Sequence, residues 1–386
     1  MKDLAKWSSS GNRRSIKQIP FNIPLVLGTE SAFVTEAILH KNLSADGTYS
    51  QKCASFLESL TGSKKVIMTT SCTDALEMAA ILANIKDGDE VIMASFNFVS
   101  AANAFVLRGA KIRFIDIDPI TMNMDANLIE SAISQKTKVI VAMHYAGVPC
   151  DMEKIMKIAN QYQILVVEDA AHCIGAYYKG KHLGSIGHLG TLSFHETKNI
   201  QAGEGGALLI NEASFIERAT IIKDKGTNRN LFFSGNVKKY TWVDVGSSFG
   251  IGELNAAFLY TQLVKIKEVT NQRILLWNMY HTLFSGSGLL PERKNEANAH
   301  IFFLKLKNGH ERETLINRLK SAQISAASHY EPLHLSDAGK KYGQFSGEDK
   351  NTLILSQQLL RLPLYYDLSL EDVKYIYEKV CSFYEL

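Results

Sequence analysis

The chain has 386 residues, 46% hydrophobic and 21% charged, enough to bury one large or two medium cores and too apolar for a disordered protein. Lys and Arg number 42 against 39 Asp and Glu; residues 1–18 hold a surplus of +4 (Lys2, Lys6, Arg13, Arg14 and Lys17 against Asp3), which leaves the rest at −1 and excludes a body-wide basic surface for DNA or RNA. The five cysteines, Cys53, Cys72, Cys150, Cys173 and Cys381, never fall in C-x-x-C spacing and are odd in number, so neither a zinc ribbon nor a disulfide framework is expected, and a reducing cytoplasm fits.

Residues 1–18 read as a basic extension with scattered charge and no apolar core of a secretory signal. From Phe21 onward, short β-branched or aliphatic runs alternate with stretches of helical period. The runs are 66–68, 90–93, 112–115, 139–142, 164–167, 189–194 and 207–210; the helical stretches include 73–84, 128–134 and 152–162. This alternation predicts an α/β fold with a mainly parallel sheet buried on both faces. The last two runs have no helical stretch between them, so the pattern changes near 189–210. The longest uncharged run, 91–107, is too short and too polar, with Asn97 and Asn103, to span a membrane. A helical pattern without Gly or Pro covers 253–284 and leads into a smaller α+β region with a strand at 300–306, a helix at 311–322, an edge segment at 361–364 and a final helix at 369–384. The expected division is an extension (1–18), a large domain (19–255) and a small C-terminal domain (256–386).

Ligands of open α/β sheets bind beyond the carboxyl ends of the strands, which directs attention to the residues after each run. After 66–68 comes Thr69-Thr70-Ser71-Cys72-Thr73-Asp74. Ser71 and Asp74 form an S-x-x-D capping box, and the segment reads either as a capped helix or as an anion site on the N–H groups of Cys72 and Thr73. After 164–167 come Glu168-Asp169-Ala170-Ala171-His172. A carboxylate there needs a partner, either a Lys or Arg in a structural ion pair or the protonated ring nitrogen of a bound heterocycle. The third segment runs from Ser193 through Lys198 to Gly203-Glu204-Gly205-Gly206. Its glycines suit a tight turn or a close backbone approach. Lys198 reads as a solvated loop lysine or as an amine that forms an imine with an aldehyde. Together, a phosphate cradle, a carboxylate and a lysine describe a pyridoxal 5'-phosphate site.

The segments Val167-Glu168-Asp169-Ala170-Ala171-His172 and Ser193-Phe194-His195-x-x-Lys198-x4-Gly203-Glu204-Gly205-Gly206 resemble the two signatures of the DegT/DnrJ/StrS-type sugar aminotransferases. The likeness runs from Phe21-Asn22 to the C-terminus. Residues 44–49, 103–111, 194–199, 225–229, 246–248 and 329–334 are similar to the dTDP-4-amino-4,6-dideoxygalactose transaminases of surface polysaccharide biosynthesis. The resemblance implies an aspartate-aminotransferase-like fold (fold type I). It implies Lys198 as the lysine that anchors the cofactor, Asp169 as partner of the pyridine nitrogen and His172 near the ring hydroxyl. Phe98 would stack on the ring, and Cys72, Thr73 and Ser193 would hold the phosphate. Asn228 would reach the phosphate of a neighbouring subunit, making the protein a homodimer with shared active sites.

The implied reaction takes an amino group from L-glutamate, converts the cofactor to pyridoxamine 5'-phosphate and passes the group to a dTDP-linked 4-keto sugar. Lys225, Arg229, Tyr240 and Trp242 would meet the sugar nucleotide at the dimer cleft, and His329, Tyr330 and His334 would close over the sugar. The 4-amino-4,6-dideoxyglucose isomer, or a 3-amino sugar, needs only a different sugar pose. In the dehydratases of this fold a histidine replaces the lysine, which Lys198 argues against, His195 lying three residues too early. A non-catalytic regulatory sensor is the reading from another class. The sequence departs from many family members at Gly246-Ser247-Ser248-Phe249-Gly250-Ile251-Gly252, where those carry a Tyr-Asn-Tyr-Arg-Met-like stretch.

Overall fold

The computed structural model describes residues 18–291 and 298–384. The basic extension thus lies, apart from Gln18, outside the described residues. Among the described residues the strands are β1 (Lys65–Thr69), β2 (Glu90–Ala94), β3 (Lys111–Ile115), β4 (Thr137–Met143), β5 (Leu165–Asp169), β6 (Tyr177–Tyr178), β7 (Lys181–His182), β8 (Leu189–Ser193), β9 (Gly206–Ile210), β10 (Phe302–Lys305), β11 (Gly343–Phe345) and β12 (Leu359–Leu362). Eight of them form one sheet in the order β1-β9-β8-β5-β4-β2-β3-β11. Every pairing from β8 to β11 is parallel, whereas β9 runs antiparallel to both β8 and β1. The change of pattern expected near 189–210 is this reversal.

The strand composition explains why the sheet is covered on both sides. Successive side chains point to opposite faces, and in β2 Val91 and Met93 enter one apolar cluster while Ile92 and Ala94 enter another. Val139 and Val141 of β4 face the first cluster, Ile140 and Ala142 the second. The helix Cys72–Leu82 covers the first face with Ala75, Leu76, Met78 and Ala79, and the helix Met152–Tyr162 covers the second with Ile155, Ile158 and Ala159.

The helical pattern over 253–284 resolves into two helices, Glu253–Leu263 and Ile266–Leu283. Neither Gly nor Pro marks the break; it falls where the chain changes the body it packs against. Ala256, Leu259, Leu263, Ile266 and Val269 pack with side chains of β1, β8 and β9, whereas Leu276, Trp277 and Tyr280 pack against β10, β12 and the helix Leu370–Tyr384. β10 and β12 pair antiparallel as the small sheet of the C-terminal region. β11, which no run of the sequence announced, returns from that region to extend the main sheet beside β3. Ile19 is buried in the C-terminal cluster and bridges to Ile324, so the chain just after it, at Phe21 and Asn22, passes the carboxyl edge of the main sheet. Among the described residues no helix is long and apolar enough to cross a membrane.

Candidate active site

A cavity of about 460 Å³ opens where β1, β5 and β8 end and β9 begins. Register brings these ends together: Gly206 pairs with Thr69 on one side and Ser193 on the other, and Thr191 pairs with Asp169. Three chain segments far apart in sequence therefore meet on one edge. Of the residues expected from the sequence, Cys72, Thr73, Phe98, Asp169, His172, Ser193, Lys198, His329 and Tyr330 line this cavity.

The anion cradle is the start of the helix Cys72–Leu82. Ser71 caps it, its Oγ accepting from the Asp74 N–H at 3.0 Å, and the first intrahelical bond runs from the Ala75 N–H to the Ser71 carbonyl. The N–H groups of Cys72 and Thr73 precede that bond and have no carbonyl of the helix to donate to. Asp74 Oδ2 accepts from the Thr70 hydroxyl and so faces back along the chain. The cradle depends on Gly206, where a Cβ would lie 2.3 Å from the Ser71 carbonyl carbon and 2.4 Å from the Cys72 nitrogen. Ser193 ends β8 beside it, and burial pushes the Cys72 thiol up to about 12, so it is no nucleophile.

The adjacent carboxylates at the end of β5 separate by face. Glu168 is fully buried, 2.9 Å from His144 Nε2, and accepts from the N–H groups of Gly184, Ile186 and Gly187. Burial works to raise its pKa, but the His144 hydrogen bond and these backbone donors hold it below the usual carboxylate value. Asp169 faces the cavity and accepts only from the Ala171 N–H, at 3.1 Å, among the described residues. Burial raises its pKa, against the opposing effects of that N–H and of Lys198. The structural ion pair with Lys or Arg that the sequence left open is present at neither carboxylate among the described residues. His172 accepts from the Ala146 N–H through Nδ1 and packs 4.4 Å from the His300 ring. Burial first, then the charges of Lys198 and Arg361 among others, holds it well below its ordinary pKa, so it is neutral.

Lys198 sits in the excursion between β8 and β9. Its backbone N–H bonds to the His195 carbonyl, while Nζ makes no hydrogen bond or ion pair with any described residue. Loss of solvent lowers the pKa of the amine, and the positive charge of Arg361 acts in the same direction against the opposing influence of Cys72 and Asp169. A buried lysine without a described partner is able to serve as a base or a nucleophile, and it is not a solvated surface charge.

Phe98 stands just before the helix Val99–Val106 and is 54% exposed, with its ring 6.2 Å from that of Tyr330 at the cavity wall. His329 and Tyr330 stack on each other at 4.1 Å. His334 lies outside the cavity, tied to Ser95 Oγ at 2.7 Å and Asp349 at 3.3 Å. Asn228, Lys225, Arg229, Tyr240 and Trp242 lie outside it as well, on a segment of their own. The Asn228 amide donates to the Lys239 carbonyl and accepts from the Thr241 N–H, and Lys225 and Arg229 both pair with Asp224. Tyr240 and Trp242 are 52% and 76% exposed. In the departing loop, Gly250 bridges to Thr69, a Cβ there would lie 2.5 Å from that of Ala45, and Gly252 precedes the helix Glu253–Leu263. The loop thus packs along β1.

Sequence reasoning missed Phe21, Asn22, Arg273, His300 and Arg361, all of which line the cavity. The one available signal was Arg361, a charge in the otherwise apolar strand Leu359-Leu360-Arg361-Leu362.

These residues fit pyridoxal phosphate. The lysine has no competing partner, the carboxylate keeps an open side, and the helix start faces the same space with its Cβ-free neighbour. When bound, the cofactor supplies an electron sink for a carbanion formed beside its imine nitrogen.

The sequence profile of the DegT/DnrJ/EryC1/StrS aminotransferase family matches residues 27–381. The chain is 30% identical to the spore coat polysaccharide biosynthesis protein SpsC of Bacillus subtilis, over 94% of this chain and 96% of that protein. It is also 30% identical to the pleiotropic regulatory protein of Geobacillus stearothermophilus, with 91% and 93% covered. Among solved structures, the PMP-form of Spr1654 from Streptococcus pneumoniae, assigned as a sugar aminotransferase, superposes with a TM-score of 0.89 at 26% identity, covering 95% of this chain and 99% of that one. Its PLP-form gives 0.87, covering 96% and 100%. The chain belongs to the DegT/DnrJ/EryC1/StrS aminotransferase family: it is a fold type I aminotransferase of the sugar-modifying kind, and its cofactor is pyridoxal phosphate.

Proposed function

We propose that this enzyme transfers an amino group from L-glutamate to C4 of a nucleotide-linked 4-keto-6-deoxy sugar, converting dTDP-4-keto-6-deoxyglucose to dTDP-4-amino-4,6-dideoxygalactose and leaving 2-oxoglutarate. The observation that carries the chemistry is the partnerless Lys198 amine in one cavity with Asp169 and the start of the helix Cys72–Leu82. The sugar assignment rests on the resemblance of segments 44–49, 103–111, 194–199, 225–229, 246–248 and 329–334 to the dTDP-4-amino-4,6-dideoxygalactose transaminases.

Lys198 would hold the cofactor, and its amine would move the proton at the sugar C4. A free lysine has a pKa of about 10.4; loss of solvent with the Arg361 charge lowers it toward the range where a base works at neutral pH. Asp169 would hold the pyridine nitrogen protonated: its carboxylate accepts only from the Ala171 N–H among the described residues and so has an acceptor left for that bond. Cys72 and Thr73 donate backbone N–H groups, and Ser193 its hydroxyl, to the phosphate. His172, a neutral imidazole in the cavity wall, would meet the ring hydroxyl, and Phe98 would cover the ring face. His329 and Tyr330 approach the sugar from the C-terminal region. His334 acts on the sugar only through the segment it ties to Ser95.

The assembly we propose is a homodimer with shared sites. The exposed aromatics Phe233, Tyr240 and Trp242 next to Lys225, Asn228 and Arg229 suit a surface that meets a second copy and completes its substrate cleft. All five cysteines are free, in keeping with a cytoplasmic enzyme that supplies surface polysaccharide, including lipopolysaccharide. Incubation with dTDP-4-keto-6-deoxyglucose and L-glutamate, read by proton NMR, tests the assignment. A small H3–H4 coupling supports the axial, galacto amine; a large one indicates the gluco isomer, and no product refutes the proposal.

A further inference from the structure

Three segments of the cavity wall are bonded to one another through two side-chain amides and one imidazole. Asn199 follows Lys198 directly and is buried. Its Nδ2 donates to the Asn298 carbonyl at 2.9 Å, which leaves Oδ1 to accept from His300 Nδ1 at 2.8 Å. Asn298 in turn donates through Nδ2 to the carbonyls of His172 and Ile174, at 2.7 and 3.0 Å. The His300 ring packs 4.4 Å from that of His172, 32° from parallel. The short stretch leading into β10 therefore grips the lysine segment and the segment after β5 at once.

Burial first, then the neighbouring His172, Lys198, Arg273 and Arg361, holds His300 well below its ordinary pKa, so the ring is neutral. The amide oxygen of Asn199 only accepts, which puts the ring proton on Nδ1. The other two histidines of this wall are used differently. His172 accepts from the Ala146 N–H through Nδ1, and His329 accepts through Nε2, at 2.6 Å, from Nη1 of Arg361, a guanidinium that pairs with no carboxylate among the described residues. Of the three imidazoles, His300 is the one whose proton goes to the lysine segment. Lys198 itself is held by little: its N–H reaches the His195 carbonyl, three residues back, and Nζ has no partner among the described residues. The direction of its amine is inherited from the chain on either side. Gln201 fixes that chain on Gln262 and the Leu25 carbonyl, but the tie nearest the lysine is Asn199. Without the His300 donor, Asn199 Oδ1 would be buried and unsatisfied, and the segment would shift to find another partner.

We propose that His300 is a positioning residue for the reaction: through Asn199 it sets the direction of the Lys198 amine and couples the reacting lysine to the C-terminal region. The proposal rests on the reading of Lys198 as the residue that takes the cofactor. Its first readout needs no turnover: the rate at which cofactor-free protein acquires the visible absorbance of lysine-bound pyridoxal phosphate. His300→Phe keeps a ring against His172 but removes the donor, and should slow this uptake by on the order of tenfold or more, as misplacement at a reacting centre does. His300→Asn puts an amide N–H where Nδ1 stood and should restore the parental rate. In the loaded protein the same loss should fall on the maximal rates of both half-reactions, with the half-saturating concentrations of L-glutamate and sugar nucleotide unchanged. Asn199→Ala attacks the same bond from the other side, so the test does not depend on His300→Phe folding. It should lose at least as much, and adding His300→Phe to it should cost nothing further, because the two side chains form one tie. A His300→Phe protein that melts lower yet takes up the cofactor at the parental rate overturns the proposal. So do equal losses in His300→Phe and His300→Asn, additive losses in the double variant, or a loss confined to half-saturating concentrations. An unsubstituted protein that never acquires the visible absorbance overturns the reading of Lys198 itself.

Discussion

Replacing Gly206 by Ala probes the cradle with one methyl group. The added Cβ would meet the Ser71 carbonyl carbon at 2.3 Å and the Cys72 nitrogen and Ser71 carbonyl oxygen at 2.4 Å, all backbone, whereas ordinary contact begins at 3.4 Å. No rotamer relieves a Cβ, so β9 and the start of the helix Cys72–Leu82 have to part by about 1 Å. Gly206 is paired on both sides, with Thr69 and Ser193, which leaves the helix start as the part that gives. The overpacking should cost about 1–3 kcal/mol of stability. The N–H groups of Cys72 and Thr73 would be displaced by the same distance, and a misplacement of about 1 Å at a reacting centre lowers rates roughly a hundredfold. Thermal unfolding with and without pyridoxal phosphate, together with a cofactor titration read by absorbance, separates the two effects: the variant should melt lower and also gain less from the cofactor. A variant that binds the cofactor as tightly as the parent would show that the helix start does not hold the phosphate.

Lys198→Ala should abolish turnover and the visible absorbance of the lysine-bound cofactor, while the cofactor-free protein melts no lower than the parent, because the truncated amine was desolvated and without a partner; normal activity would end the lysine assignment. Asp169→Asn keeps an acceptor for the Ala171 N–H and should fold and bind cofactor, yet lose at least about a hundredfold in rate, as removal of a key electrostatic contact does. Near-parental rates would make Asp169 structural. His172, His182, His300 and His329 all resist protonation in the folded protein through burial, His182 down to about 4. The unfolded chain takes up these protons below about pH 6.5. The stability they contribute is therefore intact above pH 6.5 and falls as the pH drops from there toward 4, by up to about 1.4 kcal/mol per unit for each ring. Denaturant melts across that range check this; a flat profile would refute it.

Much of the architecture was legible because it is local. The strand cores at 66–68, 139–142 and 207–210 announce themselves by continuous aliphatic side chains, and Ser71 with Asp74 marks a helix start within four residues. The candidate carboxylate and lysine were legible for the same reason, since Asp169 and Lys198 stand at or beyond strand ends, whereas the part given to Ser193 came from the family resemblance. The break at 264–265 left no such mark: it is set by which body each helix packs against, and the apolar period runs on across it.

The order of strands and helices, the capping box and the lysine and carboxylate at strand ends are properties of short stretches, fixed by periodicity and side-chain chemistry. Which ends become neighbours is not. The reversal of β9 puts Gly206 between Thr69 and Ser193, β11 returns from the C-terminal region to the main sheet, and the chain after Ile19 brings Phe21 under Arg361. Arg361 and His329 are 32 positions apart and Glu168 and His144 are 24 apart, so neither pair carries a signature that a window of sequence could hold. Their partnership exists only once backbone pairing and apolar burial have closed the chain around them, and that closure decided which charges were cancelled and which one was left facing the cavity.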